Sequence, residues 1–128
     1  MRILLIEDDP QFRAVIERIL EKSGHTLCWS GTGAGGVRML YREKVDAVFL
    51  DMNLGPEMSG WDVARIKQID PELRKIPLVI ISGSPPEELK TGFHGNPLAN
   101  AVLVTKPVTL EEIRDLLDTL WPGATQDI

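Results

Sequence analysis

Polar residues with reactive side chains stand where short apolar runs stop: Glu7 and Asp8 after "RILLI", Asp51 after "AVFL", Ser82 after "LVII" and Lys106 after "AVLVT". Glu7, Asp8 and Asp9 are consecutive, and two like charges about 4 Å apart at an effective dielectric near 20 cost on the order of 4 kcal/mol. A cation belongs beside them. Hard carboxylate oxygens with room for water and phosphate suit Mg²⁺, whereas no Cys or His cluster points to zinc. One carboxylate can attack phosphorus while metal and ammonium neutralise the transferred charge. Asp51, the lone acid at the tip of a central strand, is the candidate nucleophile, and the Glu7–Asp8 pair is better suited to holding the metal.

These residues converge only if the apolar runs are strands of one sheet. Runs alternating with segments of helical period indicate βαβ units around a parallel sheet. Strands are expected at Arg2–Glu7, His25–Ser30, Val45–Asp51, Leu78–Ser82 and Ala101–Thr105. In a doubly wound sheet the ligand site lies beyond the carboxyl ends of the strands, where their order reverses.

Between the first two strands, Asp9 and Pro10 supply an N-cap and a first-turn proline. Phe12, Val15, Ile16, Ile19 and Leu20 mark one helix face, and Gly24 ends it. A last helix opens at "VTLEEI" with Thr109 and Glu112 as a capping box and Val108 and Ile113 as a hydrophobic staple, and continues through Leu116, Leu117 and Leu120. Helices two and three are expected near 34–42 and 59–69. Helix four, near Glu87–Lys90, is broken by Gly92, Gly95 and Pro97.

The 128 residues suit one domain, expected at 1–121 with a tail at 122–128. With 43% hydrophobic and 26% charged residues, the composition is that of a globular protein, and no apolar run reaches membrane-span length. The absence of a signal peptide points to the cytoplasm. A net charge of −5 without clustered Lys and Arg argues against direct nucleic-acid binding. The single cysteine, Cys28, lies in apolar "HTLCWS" and is read as a small buried hydrophobe.

Taken together, "LLIEDD", "VFLDMN", "VIISGS" and "TKP" resemble the motifs of CheY-like receiver domains of two-component response regulators, in order and over nearly the whole chain. The resemblance implies a flavodoxin-like (βα)5 three-layer sandwich with strand order 2-1-3-4-5. It implies that Asp51 accepts a phosphoryl group from a phosphohistidine on a sensor histidine kinase or phosphotransfer protein. Mg²⁺, or Mn²⁺ as a substitute, would be held by Asp8 and Asp51, by the Asn53 backbone carbonyl, and by Glu7 mostly through water. Lys106 would pair with Asp51 and then with a phosphoryl oxygen, Ser82 would engage another, and Gly83 would leave the group room. Such a domain is a phosphoacceptor rather than a turnover enzyme, assisting its own phosphorylation and slow dephosphorylation, with an output partner and dimerisation left open.

Several positions depart from the family pattern. Leu103 occupies a position where the family often has a Tyr or Phe that moves inward on activation. The loop after Asp51 is one residue longer than the commonest form, and the stretch from Ser82 to Lys106 is long and rich in breakers. The chemistry is expected to be intact and the output face, around helix four, strand five and helix five, to be unusual.

Two other classes compete. "GTGAGG", Gly31 to Gly36, fits G-x-G-x-x-G, and Asp51 follows Gly31 by the roughly 20 residues at which a dinucleotide fold holds its ribose acid. That reading leaves Glu7, Asp8, Ser82 and Lys106 without a role, so a flexible turn and a glycine-weakened helix start are expected instead. A receiver-like fold kept only for protein binding is opposed by the retention of Asp51, Asp8 and Lys106. His25, His94, Trp61 and Trp121 are read as structural or solvated.

Overall fold

Side chains alternate between the two faces of a strand, and the chain uses that alternation to build two separate cores. The computed structural model describes residues 1–55, 57–83 and 101–120. In chain order these form β1 (Arg2–Ile6), α1 (Pro10–Lys22), β2 (Thr26–Ser30), α2 (Gly33–Arg42), β3 (Ala47–Asp51), α3 (Gly60–Ile69), α4 (Pro71–Arg74), β4 (Leu78–Ser82), β5 (Val102–Thr105) and α5 (Leu110–Leu120). The strands are all parallel in the order β2-β1-β3-β4-β5, as expected.

On one face Leu4, Ile6, Val48, Leu50 and Ile80 pack with Leu40 of α2, Val63 and Ala64 of α3 and Leu73 of α4. On the other, Ile3, Leu5, Phe49, Val79 and Ile81 pack with Ile16, Ile19 and Leu20 of α1 and Ile113, Leu116 and Leu117 of α5. β1, β3 and β4 are therefore apolar on both faces, the pattern of strands covered by helices on either side.

The expected strands overrun the observed ones at Glu7, His25, Val45 and Ala101. Burial continues past the paired ladder at His25 and Val45, so apolar character alone sets the boundary too wide. In α1, Asp9 caps the helix by accepting from Gln11 N–H at 2.9 Å, with Pro10 in the first turn. Its end is a paired motif: Gly24 N–H donates to Glu21 O and His25 N–H to Leu20 O, with Gly24 at φ +77°. Val15, assigned to the buried face, is instead 51% exposed because it lies on the flank of the stripe that Ile16, Ile19 and Leu20 press against the sheet.

Thr109 caps α5 by accepting from Glu112 N–H at 3.1 Å, and Val108 packs on the same cluster as buried Ile113. Ser59 and Asp62 form a reciprocal capping box at α3. The short α4 was not foreseen; its Asp70-Pro71 start repeats the Asp9-Pro10 signal. It is distinct from the helix expected near Glu87–Lys90, which lies outside the described residues, as do His94, Trp121 and the tail at 122–128.

The glycine run is a packing device rather than a flexible turn. Thr32 caps α2 by accepting from Gly35 N–H, and the helix starts at Gly33. A Cβ at Gly36 would collide with the Ile6 side chain, and one at Gly33 would lie 2.9 Å from Met58 O. Small residues let α2 lie directly on β1 and against the loop after β3. The dinucleotide reading is thereby displaced: its glycines are spent on helix packing, and Asp51 belongs to another cluster. Cys28 and Trp61 are half-buried against the first core.

Candidate functional site

β1 and β3 are neighbours at the centre of the sheet, with Ile6 paired to Leu50. The residues that follow in each strand therefore emerge side by side at the carboxyl edge. Carboxylate oxygens of Glu7, Asp8 and Asp51 lie within 4.8 Å of one another. Glu7 and Asp51 are buried and Asp8 is exposed.

The cation demanded by these charges is Lys106, delivered just beyond β5. Its Nζ donates to Glu7 Oε2 at 3.0 Å and lies 3.7 Å from Asp51 Oδ2. Lys106 thus bridges both acids, with the shorter contact to Glu7 rather than to Asp51. The ammonium also lies 4.7 Å from the centre of the Phe12 ring, which supplies a cation–π face. Phe12 was assigned to the α1 core stripe; it is half-buried, and its position five residues after Glu7 at the start of α1 is what brings it under the lysine.

One oxygen of each buried acid has a local backbone donor. Asp9 N–H donates to Glu7 Oε1 at 3.2 Å, and Asn53 N–H donates to Asp51 Oδ1 at 3.1 Å. Asp51 Oδ2 is left facing Lys106. Burial pushes the Glu7 carboxyl up to about 7; the Lys106 hydrogen bond opposes this and the Asp51 charge adds to it. The third acid of the run, Asp9, is occupied as the α1 cap.

Ser82 is buried at the end of β4, where its carbonyl accepts from Lys106 N–H at 2.8 Å. In register Asp51 is opposite Ile81, so Ser82 stands one residue further out on the adjacent strand. Gly83 is exposed, and a Cβ there would meet no atom within 4 Å. Leu103 is not part of the cluster: it pairs with Ile80 and packs, half-buried, on the α2–α3 face. Trp29 was not foreseen as part of the site, yet its indole N–H donates to Glu7 O at 2.8 Å.

Three carboxylates converging at the carboxyl edge, one with a free oxygen beside an ammonium, can hold a hard divalent cation and present a nucleophile. The described residues contain no helix long and apolar enough to cross a membrane.

A family model described as the response regulator receiver domain matches residues 3–118. Protein PilH of Pseudomonas aeruginosa is 29% identical over 122 residues, covering 95% of this chain and 98% of that protein. The transcriptional regulatory protein GlrR of Escherichia coli is 30% identical over 119 residues; the match covers 91% of this chain but only 25% of that longer regulator. Among solved structures, the receiver domain of a sensor histidine kinase from Pseudomonas aeruginosa, with a magnesium ion coordinated in its active-site cleft, has a TM-score of 0.76 at 26% identity, covering 93% of this chain and 95% of that one. Chemotaxis protein CheY4 of Vibrio cholerae shares the fold, with a TM-score of 0.80 at 17% identity, covering 93% of this chain and 97% of that one.

Proposed function

The chain belongs to the response regulator receiver family, and from that membership we propose that Asp51 accepts a phosphoryl group from the phosphohistidine of a histidine kinase or phosphotransfer protein. The observation that carries this reading is the convergence of the Glu7, Asp8 and Asp51 carboxylates with Lys106 bridging them.

Asn53 N–H occupies Asp51 Oδ1, which leaves Oδ2 as the attacking oxygen. Its lone pair forms the new P–O bond as the P–N bond to the donor imidazole breaks; the imidazole leaves with that electron pair and takes a proton. Lys106, 3.7 Å from Oδ2, is near enough to follow the incoming charge onto a phosphoryl oxygen. The Ser82 hydroxyl donates to a second oxygen, and the open space at Gly83 accommodates the group.

The donor set fits Mg²⁺, which Asp8, Asp51 and the Asn53 carbonyl would hold directly. Both Glu7 oxygens are already engaged, by Lys106 and by Asp9 N–H, which favours its acting through water. When bound, the ion neutralises charge on the transferring phosphoryl oxygens. The domain in this way takes part in its own phosphorylation, and the same polar setting serves slow hydrolysis of the acyl phosphate. The reaction belongs in the cytoplasm, where kinases draw on nucleoside triphosphate.

The phosphorylated state acts on an output partner, as the name transcriptional regulatory protein suggests for GlrR itself. Leu103 has no polar handle, so Ser82 carries the response in place of a moving aromatic ring.

Acetyl phosphate labelling tests the reading. Wild type should gain one phosphate mass in Mg²⁺ and none in excess chelator, and the adduct should be cleaved by hydroxylamine. Asp51→Asn should not label. Labelling of that variant elsewhere would move the nucleophile, and an unlabelled wild type would favour a fold kept only for protein binding.

A further inference from the structure

The backbone at Glu7 is held from the side by β2. Ladder pairing ends with Ile6 opposite Ser30, and Glu7 N–H then donates to Ser30 O at 3.0 Å. The Glu7 carbonyl has passed the end of the paired ladder. Trp29, paired with Leu5 two residues earlier, supplies the missing donor: its indole Nε1 reaches Glu7 O at 2.8 Å. The Glu7–Asp8 peptide is therefore clamped at its oxygen by a side chain rather than by the sheet.

The indole is itself held in place. The Arg13 guanidinium lies 3.9 Å from its ring centre. Along its edge sits Gly31, where a Cβ would lie only 3.1 Å from the ring. Below, the ring packs on the α1–α5 core with Phe12 and Leu27. A shorter side chain at position 29 would leave the Glu7 carbonyl without this partner, and a larger residue at 31 would displace the ring.

We infer that Trp29 is a positioning residue for the metal-holding acids, fixing through its N–H bond to Glu7 O the peptide plane from which the Glu7 and Asp8 side chains both project. The inference rests on the proposed Mg²⁺ site. A change in that plane rotates two carboxylates at once, whereas the neutral indole alters the charge of neither.

The test removes the N–H and keeps the ring. Benzothienylalanine at position 29, introduced by nonsense suppression, puts sulfur where Nε1 stands; Trp29→Phe is the simpler companion. Mg²⁺ affinity is measured by calorimetric titration and the metal-free melting temperature by circular dichroism. In the isosteric variant the Mg²⁺ dissociation constant should rise about threefold to tenfold, alongside the modest fall in metal-free melting temperature that one lost neutral hydrogen bond costs. An unchanged dissociation constant in a wild type that binds Mg²⁺ overturns the role of Trp29 and leaves the metal site standing. A loss of affinity in Trp29→Phe with none in the isosteric variant also overturns it, reducing Trp29 to core packing. Failure of the wild type to bind Mg²⁺ overturns the site and this inference together.

Discussion

Lys106 and Glu7, 99 positions apart in the chain, share a hydrogen bond of 3.0 Å, and the Glu7 side chain is only 1% exposed. The lysine therefore compensates the acid that has least access to water. Asp51 keeps an oxygen 3.7 Å from the same ammonium.

This pairing has a pH consequence. Burial raises Glu7 from 4.5 to about 7 in the folded protein. Folding then takes up a proton between these values, so the Glu7 contribution to stability is fully present below about 4.5 and is lost as pH rises through about 7. The loss is on the order of 3 kcal/mol. Urea unfolding of metal-free wild type and Glu7→Gln across pH 4.5–8 should show a difference that varies with pH in this direction. A difference independent of pH would contradict the assignment.

Removing the cation sharpens the same effect. Lys106→Met leaves a buried carboxylate unpaired, which costs roughly 3–5 kcal/mol where the acid is ionised. The destabilisation should be clear at pH 8 and much smaller at pH 5, where Glu7 is protonated. Equal losses at both pH values would mean that Lys106 contributes by packing on Phe12 rather than by charge.

Mg²⁺ should stabilise the wild type by about 2.7 kcal/mol at 100 times its dissociation constant. At roughly 2–5 °C per kcal/mol for this size, the melting temperature should rise visibly in millimolar Mg²⁺. Asp8→Ala should abolish most of that rise. An identical response in both proteins would place the metal elsewhere.

His25 is buried just before β2, and burial lowers its basicity. A depressed folded value gives a contribution that is present above the unfolded value near 6.5 and lost as pH falls, opposite in sign to that of Glu7. His25→Gln should accordingly flatten the acid side of the stability profile. An unchanged acid limb would assign acid sensitivity to other groups.

Gly60 begins α3 directly against the strand that carries Asp51. A Cβ there would lie 2.6 Å from Met52 Cα and 2.7 Å from Asp51 O, both backbone atoms that cannot swing aside. Gly60→Ala should cost about 1–3 kcal/mol through overpacking and slow phosphate uptake, since relief of the clash moves Asp51. Normal stability and labelling would show that α3 can shift freely.

The parallel α/β class and the convergence of the acids were readable because both depend on local pattern: apolar runs of strand length, helical stripes between them, and charges at strand ends; the strand order came with the resemblance to receiver domains. Asp9, Gly24 and Thr109 announced their helix ends for the same reason. What escaped was set by contacts across the chain. Trp29 lay in a run read as uniformly apolar, and only the end of the β1–β2 ladder gives its N–H a partner. The preference of Lys106 for Glu7 over Asp51 depends on where the three side chains meet across the sheet, which charge spacing does not encode. The glycine run matched a nucleotide motif because close helix packing and close phosphate approach both demand a missing Cβ. α4 escaped for want of length, since four residues cannot establish a helical period.

The sheet order also sets a timetable. Every acid of the cluster lies within residues 1–51, and β1, β2 and β3 can pair as soon as they are made, but the compensating ammonium arrives at residue 106, just beyond the far edge strand. During synthesis from the N-terminus, the growing half-sheet brings its carboxylates together against their mutual repulsion, and the final strand relieves it. The contact that compensates the acids is thus among the last that this sheet acquires. A prematurely ended chain would carry the acids without their lysine, and its half-built sheet would be left to the quality-control machinery of the cell.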